Sequence, residues 1–220
     1  DLVVGAWIDD DGCGANCGAI HILYMDTDGS LAASTDEFDC SHAKIKCGNW
    51  DGFGKSVAPI DLNNDGVSDM AVGAHKDNCS ADSACAGWND RGVIHILFMD
   101  SDENVTSVEE IDGRVSNGPD LSNNDKFGWS VANIGDLNGD GVIDLAVGAR
   151  GDDTVHILFM NSCNQCDANA AVSSVVEINS TTLGVTVDGT FGDSVASMGD
   201  LDSDNVQDLV IGSRTDTGGG

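Results

Sequence analysis

The strongest constraint on this chain is a pattern that recurs: residues 136–149 read DLNGDGVIDLAVGA, residues 61–74 read DLNNDGVSDMAVGA, and residues 200–213 read DLDSDNVQDLVIGS. Residues 1–6, DLVVGA, are the tail of a further copy. Each copy joins an oxygen-rich loop directly to an apolar run. The chain is therefore expected to stack copies of one supersecondary unit rather than to wrap a single irregular core.

Numbered from its first Asp, each loop carries side-chain oxygens at positions 1, 3, 5 and 9, and a Val at position 7 that can offer only its backbone carbonyl. That spacing suits a hard cation taking many oxygen ligands, Ca²⁺ rather than zinc or copper. The candidate ligands are Asp61, Asn63, Asp65, Val67 and Asp69 in the first loop. In the second they are Asp136, Asn138, Asp140, Val142 and Asp144, and in the third Asp200, Asp202, Asp204, Val206 and Asp208. Gly66 and Gly141 stand at position 6, where the chain must turn sharply, and Asn205 replaces them in the third loop. Asn is the next most tolerant residue of a left-handed backbone, so the replacement fits. An EF-hand is excluded, because its position 12 is a bidentate Glu leading into a helix, whereas position 12 here is Val72, Val147 or Ile211. One such loop alone leaves an ordinary polar turn as the minority reading; three in register leave it little room.

Charge sharpens this reading. The formal net charge is −29 with only 9 Lys and Arg, and the sequence pI is near 4.1. Nucleic acid and anionic membranes both need basic groups to displace counterions, so neither is an expected partner, and no run is long enough for direct membrane insertion. The three loops hold ten Asp, and three divalent ions would cancel six of those charges. Carboxylates about 4 Å apart repel by roughly 4 kcal/mol per pair at an effective dielectric of 20. The metal-free loops are expected to splay, making calcium a ligand of the fold itself.

Eight cysteines fall in four close pairs: Cys13 with Cys17, Cys40 with Cys47, Cys79 with Cys85, and Cys163 with Cys166. Pairs this local in polar loops are expected to be disulfides formed in an oxidising compartment. Zinc held through the CNQC of Cys163 and Cys166 is the rival reading, weakened by the lack of a second dithiol of matching spacing. Sequons at Asn78, Asn104 and Asn179 are candidate glycosylation sites and point to the same compartment.

Between the loops the chain repeats again. The runs GAIHILYMD from residue 18, GVIHILFMD from 92 and TVHILFMN from 154 read as strands, with His21, His95 and His156 at one equivalent place. A residue that repeats with the fold is expected to have a packing role. More polar segments follow, at 105–115 and 172–187, and suit an outer strand partly facing water. New units then open with FGKSVA at 53, FGWSVA at 127 and FGDSVA at 191. The Phe supplies an apolar wedge and the Gly a close backbone approach. Each unit therefore holds four strands, and the apolar ones are expected innermost. Four strands per repeat, all-β, with no helical periodicity, describe propeller blades, and the nine-residue period of a calcium-binding β-helix is absent.

Together, FGxSV, DxNxDGxxD, DLxVGA and GxVHIL resemble the FG-GAP repeats of the integrin α-subunit head and of integrin-α-like proteins of bacteria and algae. The likeness covers nearly the whole chain and departs at the Cys pairs, at the inserts 7–18 and 75–87, and at Asn205. It implies a seven-bladed β-propeller of four-stranded antiparallel blades, with calcium in the hairpin between the first and second strands of several blades. The expected division is a partial blade at 1–52, blades at 53–126 and 127–190, and a partial blade at 191–220. That is roughly half of a seven-bladed ring. The remaining blades are expected from a longer polypeptide, or from a second subunit.

Two uses of such a body stay open. One is an extracellular or cell-surface adhesion or scaffold module, non-catalytic, that presents loops to a protein or glycan. The other is the accessory propeller of a secreted hydrolase, such as the phospholipase that cleaves glycosylphosphatidylinositol anchors. The carboxylates sit at cation-ligand spacing, which disfavours acid–base catalysis within the segment. Arg150, Gly151 and Asp152 spell the tripeptide that integrins recognise, yet a tight turn explains them equally well. The inserts, with Trp7 and the adjacent Trp88, offer a recognition surface or else cover hydrophobic packing.

Overall fold

The computed structural model describes residues 1–10, 14–78, 89–162, 168–184 and 189–214. Its strands are β1 (Leu2–Ala6), β2 (Ala19–Met25), β3 (Leu31–Asp39), β4 (Phe53–Ile60), β5 (Asp69–Ala74), β6 (Val93–Met99) and β7 (Val105–Ile111). They continue as β8 (Phe127–Asn133), β9 (Leu145–Ala149), β10 (Thr154–Met160), β11 (Val172–Ile178), β12 (Thr190–Gly199) and β13 (Asp208–Arg214). Two complete antiparallel sheets of four strands, β4-β5-β6-β7 and β8-β9-β10-β11, lie between a three-stranded sheet β1-β2-β3 and the pair β12-β13. These are the blades of a β-propeller, with each strand paired to its neighbour in sequence.

The core lies between blades. One cluster joins Ile60, Leu62, Ile94, Ile96 and Phe98 of the β4–β7 blade to Phe127, Leu145, Val147 and Leu158 of the next. A second joins Ile20, Ile22 and Phe38 to Phe53, Met70, Val72 and Leu97, and a third joins Ala146, Val155 and Ile157 to Phe191. Alternate residues of one strand thus serve two interfaces: Ala71 belongs to the cluster on one side of its sheet, Met70 and Val72 to the other. That is why β5 and β6 read as near-continuous apolar runs, interrupted only by Asp69 and His95, rather than alternating ones, since both of their faces are buried at every position.

The expectation that the innermost strands are the most apolar needs correction. The opening strand of each blade is the one that meets the opening strand of the next, β4 against β8 and β8 against β12. Yet β4 keeps Lys55, Ser56 and Val57 half-buried and Pro59 exposed. Full burial is found in β5, β6 and β9, middle strands of the two complete blades that are paired on both edges, whereas an opening strand keeps one edge unpaired.

The FG dipeptide acts as expected and does more. Phe53 and Phe127 are fully buried. Gly54, Gly128 and Gly192 have φ of 80°, 81° and 82°, and the strand register shifts across each of them, between Phe53 and Ser56, Phe127 and Ser130, and Phe191 and Ser194. Only glycine takes that conformation cheaply, and the resulting bulge turns its carbonyl toward the preceding blade. There it meets Gly5, Gly73 or Gly148 of the GA motif, where a Cβ would collide with the carbonyl oxygen of Gly54, Gly128 or Gly192 respectively.

Two short helices depart from the all-strand expectation: α1 (Ala168–Ala171) and α2 (Ser180–Leu183). The outer strands also end sooner than the sequence suggested, at Ile111 and Ile178. At the latter, Asn179 Oδ1 accepts from the N–H of Thr181 (3.0 Å) and Thr182 (3.2 Å), and this cap starts a helical turn instead of extending the strand. Cys40 and Cys47 form a disulfide with a Cα separation of 5.1 Å, and Cys17 is disulfide-bonded too. Cys13, Cys79, Cys85, Cys163 and Cys166 lie outside the described residues, as do the zinc alternative and Trp88.

Candidate metal-binding hairpins

The three acidic loops connect β4 to β5, β8 to β9 and β12 to β13, the same hairpin of successive blades. In each, the Asp at position 1 folds the loop over itself. Asp61 accepts the N–H of Asp65 and of Gly66, both at 3.1 Å. Asp136 accepts from Asp140 (3.0 Å) and Gly141 (2.8 Å), and Asp200 from Asp204 (3.0 Å) and Asn205 (2.9 Å). Position 3 accepts from the same amide at position 5, as Asn63, Asn138 and Asp202 show at 3.0, 2.9 and 3.2 Å. Position 5 in turn accepts from the amide of position 7: Asp65 from Val67 (2.7 Å), Asp140 from Val142 (2.9 Å), Asp204 from Val206 (2.8 Å).

The result is a tight coil with side-chain oxygens gathered on its inner side. In the third loop, ligand atoms of Asp200, Asp202 and Asp208 all lie within 4.8 Å of one another. The backbone at position 6 is left-handed in all three, with φ of 83° at Gly66, 87° at Gly141 and 69° at Asn205. Position 4 is left-handed as well, at Asn64 (56°), Gly139 (79°) and Ser203 (68°). Its Asn, Gly and Ser are turn formers, a signal that sequence reasoning passed over.

Position 9 has a second task that the sequence did not reveal. Asp69 Oδ2 accepts the N–H of Leu62 at 3.3 Å and its Oδ1 that of Met99 at 2.9 Å. Asp144 repeats this with Leu137 (2.9 Å) and Met160 (3.0 Å). Asp1 accepts from Met25 (3.0 Å), and Asp208 from Leu201 (2.6 Å). The carboxylate thereby staples the loop to the third strand of its own blade. Each oxygen has a further lone pair, so this does not spend its capacity to bind a cation. Asp69 and Asp144 are fully buried. Burial pushes the Asp69 carboxyl up to about 6 against its two N–H donors, with Asp65 and Asp61 adding to the rise, and burial likewise raises Asp144. Removing water from an anion ringed by anions is costly, and a bound cation is the physical remedy.

Neighbouring loops touch: Asn64 Nδ2 donates to the carbonyl of Gly141 at 3.2 Å. The hairpins therefore line one end of the array, side by side.

Other candidate residues settle into the body. Arg150 forms an ion pair with Asp193 at 2.8 Å and stacks 4.3 Å from the Trp129 ring centroid, while a Cβ at Gly151 would collide with Asn124. The 150–152 tripeptide is thus a tight turn whose Arg150 is held against Trp129 and Asp193, while Gly151 and Asp152 stay exposed. Trp7 sits edge-on to His75 at 5.4 Å, in keeping with a covering role for its insert. Asn104 Nδ2 donates to Asp100 Oδ1 at 3.2 Å, Asn179 caps α2, and Asn78 Oδ1 accepts from Arg91 N at 3.4 Å. His95 and His156 are fully buried edge-on to Phe53 (5.4 Å) and Phe127 (5.5 Å), the packing place expected of them.

Residues 127–170 match the FG-GAP repeat family. The chain is 30% identical over 171 residues to integrin alpha-3 of Cricetulus griseus, covering 74% of this chain and 14% of that protein. It is 32% identical over 168 residues to integrin alpha-7 of Mus musculus, covering 76% and 12%. It is 29% identical over 169 residues to integrin alpha-PS2 of Drosophila melanogaster, covering 73% and 11%. The chain thus spans only a small part of the length of these relatives. Repeated FG openings, acidic hairpins and four-stranded blades agree with that likeness: the chain belongs to the FG-GAP repeat family, as an integrin-α-like β-propeller segment.

Proposed function

We propose that this segment is a calcium-stabilised, non-catalytic module of an extracellular adhesion or scaffold protein, whose blades hold surface loops in fixed positions for a protein or glycan partner. The observation that carries the calcium reading is the threefold recurrence of one hairpin coil, in which positions 1 and 3 accept the same backbone amide and position 5 accepts that of position 7, with position 9 buried in the first two copies and half-buried in the third. All-oxygen donor sets of this density favour Ca²⁺, and extracellular millimolar calcium fills even weak sites. The Cys40–Cys47 disulfide supports an oxidising compartment. The carboxylates are committed to backbone amides, which supports cation binding over general acid–base work.

Calorimetric titration of the metal-free chain with calcium tests the reading. Three sites are expected, one for each hairpin, with the stoichiometry falling by one in Asp140→Ala. A wild-type chain that takes up no calcium, or an Asp140→Ala variant with unchanged stoichiometry, overturns it.

A further inference from the structure

The repeat places an Asp, a His and a Glu at equivalent positions in each of three blades. The Asp is the third residue after the GA motif: Asp9, Asp77 and Asp152. The His stands in the third strand, and the Glu is its cross-strand partner in the fourth: His21 with Glu37, His95 with Glu110, His156 with Glu177. The same backbone bonds hold the Asp in the first two blades. Asp9 N donates to Ala6 O at 2.9 Å and Asp77 N to Ala74 O at 3.0 Å, while Gly18 N and Gly92 N donate back to the two Asp carbonyls at 3.1 and 3.0 Å.

The clusters differ in what neutralises them. In the second blade His95 Nε2 is 3.3 Å from Asp77 Oδ2, and Glu110 lies 3.4 Å from the Arg114 guanidinium with Lys46 also contributing positive charge. In the third blade His156 is fully buried, and neither ring nitrogen has a hydrogen-bond partner among the described residues. In the first blade the place of Arg114 is taken by Ser41. Both donate their N–H at 2.7 Å to the Asp two residues earlier, Asp112 and Asp39, which fixes the equivalence. There Glu37 Oε2 pairs with His21 Nδ1 at 3.9 Å, and ligand atoms of Asp9, His21 and Glu37 all lie within 4.8 Å of one another.

We propose that Asp9, His21 and Glu37 form a binding site for a first-row divalent transition ion of the zinc class, separate from the calcium hairpins and independent of them. One imidazole nitrogen and two carboxylates are a borderline donor set, suited to zinc, whereas the hairpins offer oxygen alone. Ligand atoms on a tetrahedral zinc with bonds of ~2.0–2.1 Å stand about 3.3 Å apart, so modest side-chain rotations close the site. The strand register already holds His21 opposite Glu37. Asp9 is held by the loop in which disulfide-bonded Cys17 directs its Sγ to the Asp9 carbonyl at 3.9 Å. The arginine charge beside Glu110 in the second blade is then replaced in the first by a metal ion, which ties the β1–β2 connection to β3.

The test titrates the whole chain, saturated with calcium so that the hairpins are occupied, with Co²⁺ as a spectroscopic probe and then with Zn²⁺ in competition. The expected result is one site with visible d–d absorption, displaced by zinc, abolished in His21→Gln, weakened by at least roughly 10-fold in Glu37→Gln, and unchanged in the hairpin variant Asp202→Asn. Circular dichroism checks folding. Glu37 is exposed, so its variant decides the matter if His21→Gln fails to fold. Absence of cobalt and zinc binding in calcium, retention in the Glu37 variant, or loss only in Asp202→Asn means an adventitious ion only and overturns the proposal.

Discussion

Ser56 Oγ donates to the carbonyl oxygen of Gly128 at 2.9 Å, crossing from the opening strand of one blade to the opening strand of the next. Ser130 does the same to Gly192 at 2.8 Å. The serine of FGxS is thus the donor, and the glycine bulge of the following FG is the acceptor, of a bond that repeats with the propeller. Because the bulge carbonyl has left its own ladder, the serine satisfies a group that would otherwise be orphaned in a buried seam. Ser130→Ala is expected to cost about 1–3 kcal/mol. Chemical denaturation measures it, and an unchanged midpoint would show that water serves the carbonyl equally well.

The glycine facing that seam leaves no slack. A Cβ at Gly73 meets both the Gly128 carbonyl and Ser56 Oγ, and one at Gly148 meets the Gly192 carbonyl and Ser130 Oγ. Gly148→Ala therefore forces two blades apart and should cost more than Ser130→Ala, about 1–3 kcal/mol beyond it or loss of folding. Gly29, with open space about its Cα, is a control for the crowding and carries only the cost of its φ of 85°. Gly148 has no left-handed φ, so if thermal melts placed Gly29→Ala and Gly148→Ala together, the inter-blade crowding would cost no more than an unfavourable backbone angle and would not be the dominant constraint.

A cation–aromatic row crosses the blades beside this seam. Lys55 Nζ lies 5.0 Å from the Trp7 centroid and 4.1 Å from that of Trp129, and Arg150 covers the same Trp129 ring at 4.3 Å while pairing with Asp193. These are the third residues of the FG openings and the first residues after the GA motifs, so the repeat itself sets them side by side. Trp129→Leu keeps apolar volume but removes the ring from two cations. A loss of about 1–2 kcal/mol is expected, with a smaller coupling to Lys55→Met than to a residue outside the row counting against the arrangement in a double-mutant cycle.

What could be read in advance was what each copy of the repeat does locally. Phe127 as a buried wedge, Gly128 as a permissive backbone position and Asn205 as a stand-in for glycine all follow from residue chemistry at fixed offsets. Hidden were relations that span a whole blade. Nothing adjacent to Ser56 in sequence announces Gly128, and nothing near Asp69 announces the Met99 amide. The cap at Asn179 was visible as an Asn, but an apolar continuation outweighed it as a strand signal. The His positions were legible as a repeat, yet the Asp and Glu beside them come from two other elements, and only strand register unites the three.

His75 gives a pH dependence of definite sign. It is held edge-on between Trp7 and Trp129, at 5.4 and 4.8 Å, and burial pushes it down to about 3 from its ordinary 6.5, with Lys55 adding to the fall. Between those values the unfolded chain binds a proton that the folded chain does not, so stability rises with pH through the window and is lost on acidification from about 6.5 toward 3. The slope is about 1.4 kcal/mol per pH unit. Asp69 and Asp152, both raised to about 6, act in the opposite sense when metal is absent. The difference between wild type and His75→Phe cancels their effect, and it should grow with pH across this window. A difference independent of pH would mean that His75 is charged in the fold.

Calcium removal should act through repulsion as much as through lost ligation. Without cations the ten hairpin Asp face one another across gaps set by the coil, with Asp69 and Asp144 buried among them. A ligand that binds only the folded state at 100 times its dissociation constant contributes about 2.7 kcal/mol per site. A chelator is therefore expected to lower the melting temperature well beyond the effect of Asp140→Ala, which empties one hairpin and also removes one negative charge. Added monovalent salt should restore part of the stability of the chelated chain, because screening relieves like-charge repulsion without supplying ligands. The two effects separate cleanly: salt rescue with no calcium response would leave charge alone as the organising force, whereas a calcium response that salt cannot imitate identifies coordination within the hairpins.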